Sequence, residues 1–278
     1  MLKTILNYHF IQNAIMASIL SSIVCGIIGT IIIEKKLILM GGGIAHTAYG
    51  GVGLGYLLNF NPLIGALSFS LIAALGIGKV RKSNSKHSDI IIALFWSLGM
   101  ALGILFISFM KGYPPDMNSY LFGNILSVSD TDLINMAVLT FLVILILTVF
   151  FQDWKIYLFD EEMAKINGLN TNFLEYSLLL LIAFSVVILI RVSGIIMLIT
   201  LLCAPSATAS LLSEKLKFRM ILSIIIGLFN SFMGLFISYK LDIASGASIV
   251  IFSVLVYGII FLVSKRKPYY LTKTETQN

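Results

Sequence analysis

Long uncharged apolar runs alternate with short polar clusters along the chain, and each run approaches the roughly 20 residues that one helix needs to cross a hydrocarbon core. The first run occupies residues 10–33 and stops at Glu34, Lys35 and Lys36. Residues 43–78 carry no Asp, Glu, Lys or Arg, a stretch too long for one helix, and Asn59, Phe60, Asn61 and Pro62 divide it into a pair of spans. Runs at 90–110, 133–151, 220–239 and 243–264 each predict one further span. Around Arg191, Val192, Ser193 and Gly194 another long run is interrupted, with a span on either side. The pattern predicts an all-α polytopic membrane protein with about nine transmembrane helices, eight to ten being compatible with it. Residues 1–264 form a single transmembrane domain, and 265–278 form a polar tail.

Composition removes the water-soluble alternative. Of the 278 residues 58% are hydrophobic and 12% charged, and mean hydropathy is +0.99, whereas about a quarter of the residues in a soluble domain are charged. The surrounding solvent must therefore be hydrocarbon, and the protein is expected in a cell membrane, inner or plasma. The uncharged run after Lys3 is longer than a typical signal-peptide core and is read as the first span.

The net charge of +6 does not point to nucleic acid, because the basic residues sit in short clusters between spans rather than along one polar face. They act as topology signals. Placing the loops around Lys35, Lys79 to Lys86, Lys155, Lys215 and the tail inside leaves only Lys3, Lys111, Arg191 and Lys240 of the 19 basic residues outside. That orientation puts the N-terminus outside and the polar tail in the cytoplasm. Cys25 and Cys203 each lie in an apolar run and read as buried small hydrophobes, not as a disulfide or zinc site.

Two loops exceed a simple turn. The outer one, 111–132, holds Pro114 and Pro115 and then an apolar patch from Tyr120 to Leu126 able to dip back into the interface. The inner one, 152–172, contains Asp160, Glu161, Glu162 and Ala164 before Asn167 and Gly168, the signature of a short capped helix ended by glycine. A plain surface helix accounts equally well for either.

The stretch from Met40 to Gly55 carries His46 among glycines. Ionisable groups in a membrane are costly and face a bundle interior or a water-filled path. Gly42, Gly43, Gly50 and Gly51 permit close helix approach, so His46 points to a translocation path, the competing account being a histidine that bonds a neighbouring helix. Neutral imidazole is a common metal ligand, and Thr47 stands beside it as a possible oxygen donor. His9 and His87 read as solvated, while Asn13, Asn230 and Ser231 read as interhelical hydrogen bonders that also suit a path lining. Near the C-terminal third, Pro205 is expected to end or kink its helix at Ala204. A small-residue helix with Ala207, Thr208 and Ala209 follows and leads to Glu214 and Lys215. Such a helix suits either a bland loop or a docking surface for a soluble partner.

These motifs, Gly-Ile-Ala-His before a glycine-rich run, Leu-Phe-Gly-Asn-Ile-Leu, Phe159-Asp160 with Ala164 and Gly168, and Ser-Gly-Ile-Ile-Met-Leu with Ala-Pro-Ser-Ala-Thr-Ala, occur in order. Together they resemble the membrane permease subunits of bacterial ABC importers for zinc, manganese and iron, over about residues 10–264. The resemblance implies an ABC importer permease bundle, a homodimer with two cytoplasmic ATPase subunits, and an extracytoplasmic metal-binding protein. It also implies that Pro205, Ala207, Thr208, Ala209, Glu214 and Lys215 couple to the ATPase. Manganese permeases of this kind carry an Asp one turn before the path His, and Gly42 occupies that position here. Losing a hard oxygen ligand tilts the site toward zinc.

The sequence thus predicts a permease for a divalent transition metal, zinc slightly ahead of manganese, with no permanently bound cofactor. It contains no Gly-x-x-x-x-Gly-Lys-Ser/Thr phosphate loop, so ATP hydrolysis is expected on a separate subunit. The alternatives are a metal-chelate importer permease, which needs a wider cavity and no His46, and an ion-driven secondary carrier, which needs no ATPase.

Overall fold

The structure, a computed structural model, describes residues 9–83, 88–111, 117–123 and 125–264. His87, Pro114, Pro115 and the polar tail lie outside the described residues. Among those described, the chain is helical: α1 (His9–Glu34), α2 (Ile38–Leu57), α3 (Pro62–Ser83), α4 (Ser88–Ser108), α5 (Asn118–Phe122), α6 (Asp130–Val149), α7 (Phe151–Phe159), α8 (Glu161–Ile166), α9 (Thr171–Leu212), α10 (Leu216–Leu241) and α11 (Ser245–Val263).

Seven of these helices are long and apolar enough to cross a membrane: α1, α3, α4, α6, α9, α10 and α11. The difference from the predicted nine lies in two places. Helix α2 has ample length, but its seven glycines and His46 lower its hydropathy. Helix α9 runs through both spans predicted around Arg191, with a break in helical geometry at Gly194. A straight helix of its 42 residues would be about 63 Å long, twice a bilayer core.

Ion pairs show where α9 goes. Near its start Glu175 pairs with Arg81 at the end of α3 (3.1 Å). At Arg191 it pairs with Asp132 at the start of α6 (3.3 Å). Beyond its end the Glu214 carbonyl accepts from Arg219, which pairs with Glu34 at the end of α1. Since α1 meets the Asp130 end of α6 through Asn13 and the Arg219 end through Glu34, α9 crosses once, turns at Gly194 and returns. Lys35, Arg81, Lys165 and Arg219 gather at one end of the bundle, the end that the sequence pattern expects to face the cytoplasm.

Pro205, expected to end or kink its helix, does not end it. The helical path continues to Leu212, and the break falls at Gly194 instead. Pro205 is buried in packed surroundings where Ser206 bonds Ser223 of α10 (2.7 Å), so tertiary contacts override the local preference. The predicted short inner helix is α8, capped by Asp160, whose carboxylate accepts from the amides of Glu162 (2.8 Å) and Met163 (3.1 Å). Helix α7 before it was not foreseen. Cys25 is buried and Cys203 half-buried, and both are free thiols.

Candidate functional site

Helix α2 is an unusual helix to find at the centre of a protein, because each interior glycine costs about 1 kcal/mol relative to alanine. Packing compensates. Residues 40–53 are all buried, and the glycines let two neighbours come to backbone contact. A Cβ on Gly51 or Gly55 would strike Gly65 or Pro62 of α3, and one on Gly50 or Gly53 would strike the carbonyls of Gly99 or Gly103 of α4. Gly99 in turn abuts the backbone of His46 and Thr47. Gly43 faces Ile92, with 2.8 Å to its side chain from a built Cβ. Of the four glycines singled out in the sequence, Gly42, Gly43 and Gly50 meet α4 and Gly51 meets α3, so His46 sits where α2 is pressed closest to α4.

His46 is buried to 8% exposure. Its ring stacks on Trp96 with centroids 4.0 Å apart and planes inclined by 15°, and its Nδ1 lies 3.1 Å from the Met100 sulfur. Trp96 and Met100 sit one turn apart on α4. Thr47 donates its hydroxyl proton toward the Gly43 carbonyl (2.7 Å) and the Phe95 carbonyl (3.1 Å), so it ties α2 to α4. Gly42 lies under the same indole: a Cβ there would stand 3.0 Å from Trp96. Among the described residues no group of three or more His, Cys, Asp or Glu side chains is placed to hold a metal. One chain thus brings an imidazole, a thioether and a hydroxyl together, with the sulfur against Nδ1 and the hydroxyl on backbone carbonyls.

Trp96 and Met100 escaped the sequence reading. Their spacing on α4 is the only signal, and it acquires meaning once the rotation of α4 against α2 is known. Asn13 bonds across helices as predicted, to the Val128 carbonyl (3.1 Å) and Asp130 (3.0 Å). His9 is exposed.

The residues predicted to couple to an ATPase divide into two groups. Pro205, Thr208 and Ala209 are buried against the bundle and Ala207 is half-buried, whereas Glu214 and Lys215 are exposed. On this basic end of the bundle α8 presents an apolar surface, with Met163 53% and Ile166 84% exposed. A cavity of about 920 Å³ separates α7 and α8 from the start of α10, lined among others by Lys155, Met163, Lys215 and Lys217.

Helices α7 and α8 are anchored to α1 by Lys35. Its ammonium lies 3.4 Å from the centroid of the buried Tyr157 ring and 3.5 Å from Glu161. Burial pulls Lys35 below its ordinary value against the opposing pull of Glu161. Burial pushes Tyr157 up, helped by Glu175 and Glu161. Burial also acts to raise Glu161, but Lys165 and Lys35 outweigh it and hold the carboxyl below the usual range.

The described residues thus form a polytopic helical bundle whose glycine-packed central helix carries a buried imidazole. Comparison with known proteins gives its family. The family profile of the ABC 3 transport family matches residues 7–264. The chain is 40% identical over 252 residues to the uncharacterized membrane protein slr2045 of Synechocystis sp., covering 91% of this chain and 90% of that one. It is 36% identical over 272 residues to the manganese transport system membrane protein MntC of Listeria innocua, covering 98% and 97%. Among solved structures, a chain of PsaBC from Streptococcus pneumoniae, in complex with Fab, superposes with a TM-score of 0.85 at 35% identity, covering 98% of each chain. The chain belongs to the ABC 3 transport family and is a multi-pass cell-membrane permease of a metal ABC importer.

Proposed function

We propose that this permease moves a divalent transition-metal ion inward along a path that passes His46, zinc being taken in preference to manganese. The observation that carries the reading is the seat of His46: a buried imidazole on the tightest helix of the bundle, with a sulfur rather than a carboxylate as its polar neighbour. Zinc accepts an imidazole nitrogen readily, while manganese prefers carboxylate and water oxygens. The likeness to manganese permeases supports manganese as the second reading. In the complete importer two copies of the chain bring two His46 rings to one path. Two cytoplasmic ATPase subunits supply the energy and an extracytoplasmic binding protein delivers the ion. Glu214 and Lys215, with the apolar face of α8 beside them, form the proposed ATPase contact.

The test is zinc and manganese uptake in cells that express the importer with parental or His46→Ala permease, alongside the amount of folded dimer. Uptake of both metals should fall by at least tenfold at unchanged dimer level. A folded His46→Ala protein that transports either metal at the parental rate overturns the assignment of His46. A parental importer that takes up manganese and leaves zinc outside decides for the second reading.

A further inference from the structure

Resting on the reading of His46 as a path ligand, we infer that Met100 is a positioning residue that selects the tautomer of His46 and so presents Nε2 to the ion. A thioether sulfur carries no hydrogen, so its 3.1 Å approach to Nδ1 is a hydrogen bond only if the imidazole proton resides on Nδ1. That leaves the lone pair on Nε2. The nitrogen that does not ligate commonly donates to a neighbouring acceptor, which fixes tautomer and ring orientation in metal sites. Here the usual carboxylate or carbonyl acceptor is replaced by sulfur.

Three features of the fold serve this geometry. The stacking of Trp96 on the imidazole, with planes 15° apart, prevents the ring from tilting away. The close seat of Gly99 against the His46 and Thr47 backbone brings α4 near enough for Met100 to reach. Thr47, which donates to the Phe95 carbonyl at 3.1 Å, locks the rotation of α2 against the same turn of α4. Thr47 also donates to the Gly43 carbonyl of the turn before His46. Met100 is half-buried, so water does not wholly replace it as an acceptor.

The packing account of Met100 predicts the reverse pattern of tolerance, which makes the inference testable. Leucine matches methionine in volume and is well tolerated where only packing matters, but it cannot accept a hydrogen bond. Glutamine is less apolar, yet its amide oxygen can accept from Nδ1. Zinc uptake per folded dimer is measured in the whole importer for the parental permease, Met100→Leu, Met100→Gln and His46→Ala. Met100→Leu should lower the rate 10–100-fold, the usual effect of removing a ligand's supporting partner, and Met100→Gln should recover most of that loss. A Met100→Leu protein with the parental rate overturns the inference, and so does equal impairment of the two variants. His46→Ala at the parental rate instead removes the path reading beneath it.

Discussion

Gly123 and Gly194 sit back to back at the outer end of the bundle, with φ of 70° and 68°, and each occupies the space that a Cβ on the other would need. Gly194 makes the turn in α9. Gly123 ends α5 and presses the outer loop into that turn, while the Phe122 carbonyl meets Gly246 at the start of α11. Both have ψ of 164°, a positive-φ region open essentially to glycine alone; a side chain there costs about 1–3 kcal/mol, and overpacking adds roughly 1–3 kcal/mol. Gly194→Ala and Gly123→Ala should therefore lower the thermal midpoint of the purified protein markedly. Gly168, with φ of 76° and nothing within 4 Å of a built Cβ, is the control: Gly168→Ala should show only the conformational part. Equal midpoints for the three variants would contradict the back-to-back packing.

Gly42 stands one turn before His46, so a carboxylate placed there joins the imidazole on one helix face. Gly42→Asp should raise manganese uptake relative to zinc. The built Cβ lies 3.0 Å from Trp96, so the indole must shift by a few tenths of an ångström. Gly42→Ala isolates that crowding. If Gly42→Ala and Gly42→Asp change the manganese-to-zinc ratio alike, the carboxylate has no part in selection.

Ala209 is wholly buried and Ile166 is 84% exposed, which separates folding from coupling. Ala209→Asp places an unpaired charge in the bundle and should abolish folded dimer. Ile166→Asp should leave the dimer intact and lose the co-purifying ATPase together with uptake. Normal ATPase association of an Ile166→Asp permease removes α8 from the docking surface.

Orientation is open to thiol labelling. After Cys25→Ala and Cys203→Ala, a cysteine at Leu58, exposed between α2 and α3, should react with an impermeant reagent in intact cells. A cysteine at Ile166 should react only after the membrane is opened. The opposite pattern inverts the bundle.

Glu161, held below the usual carboxylate range by Lys165 and Lys35 despite its partial burial, contributes stability that is present above that range and lost as pH falls through its own lowered value. Glu161→Gln should lower the thermal midpoint at neutral pH, through loss of the exposed pair with Lys165, which contributes at most about 1 kcal/mol, and of the partner of the more buried Lys35. The difference should vanish in acid. A gap that persists there would mean that Glu161 acts through packing.

The spans were legible because hydrocarbon leaves the chain no other choice: backbone groups must bond within a helix, and the residues that tolerate lipid are few. The break near Gly194 and the cap at Asp160 were legible for local reasons, since glycine and aspartate state a backbone requirement in one residue. His46 stood out because an ionisable ring amid glycines is costly without a use. Pro205 misled because a local rule about a missing donor gave way to packing against α1 and α10. The run from Ala204 to Ala209 looked like a docking surface, yet small residues serve an internal helix contact equally well. Only the assembled bundle shows Thr208 and Ala209 turned inward.

By itself, then, the sequence determined the membrane, the helices and the one imidazole worth following. Tertiary structure alone decided what surrounds that imidazole. Trp96 and Met100 lie 50 and 54 positions from His46 in the chain, and no periodicity within α4 reveals which face turns toward α2. That rotation follows from Gly50, Gly53, Gly99 and Gly103 meeting backbone to backbone, a contact between two helices that neither helix specifies alone.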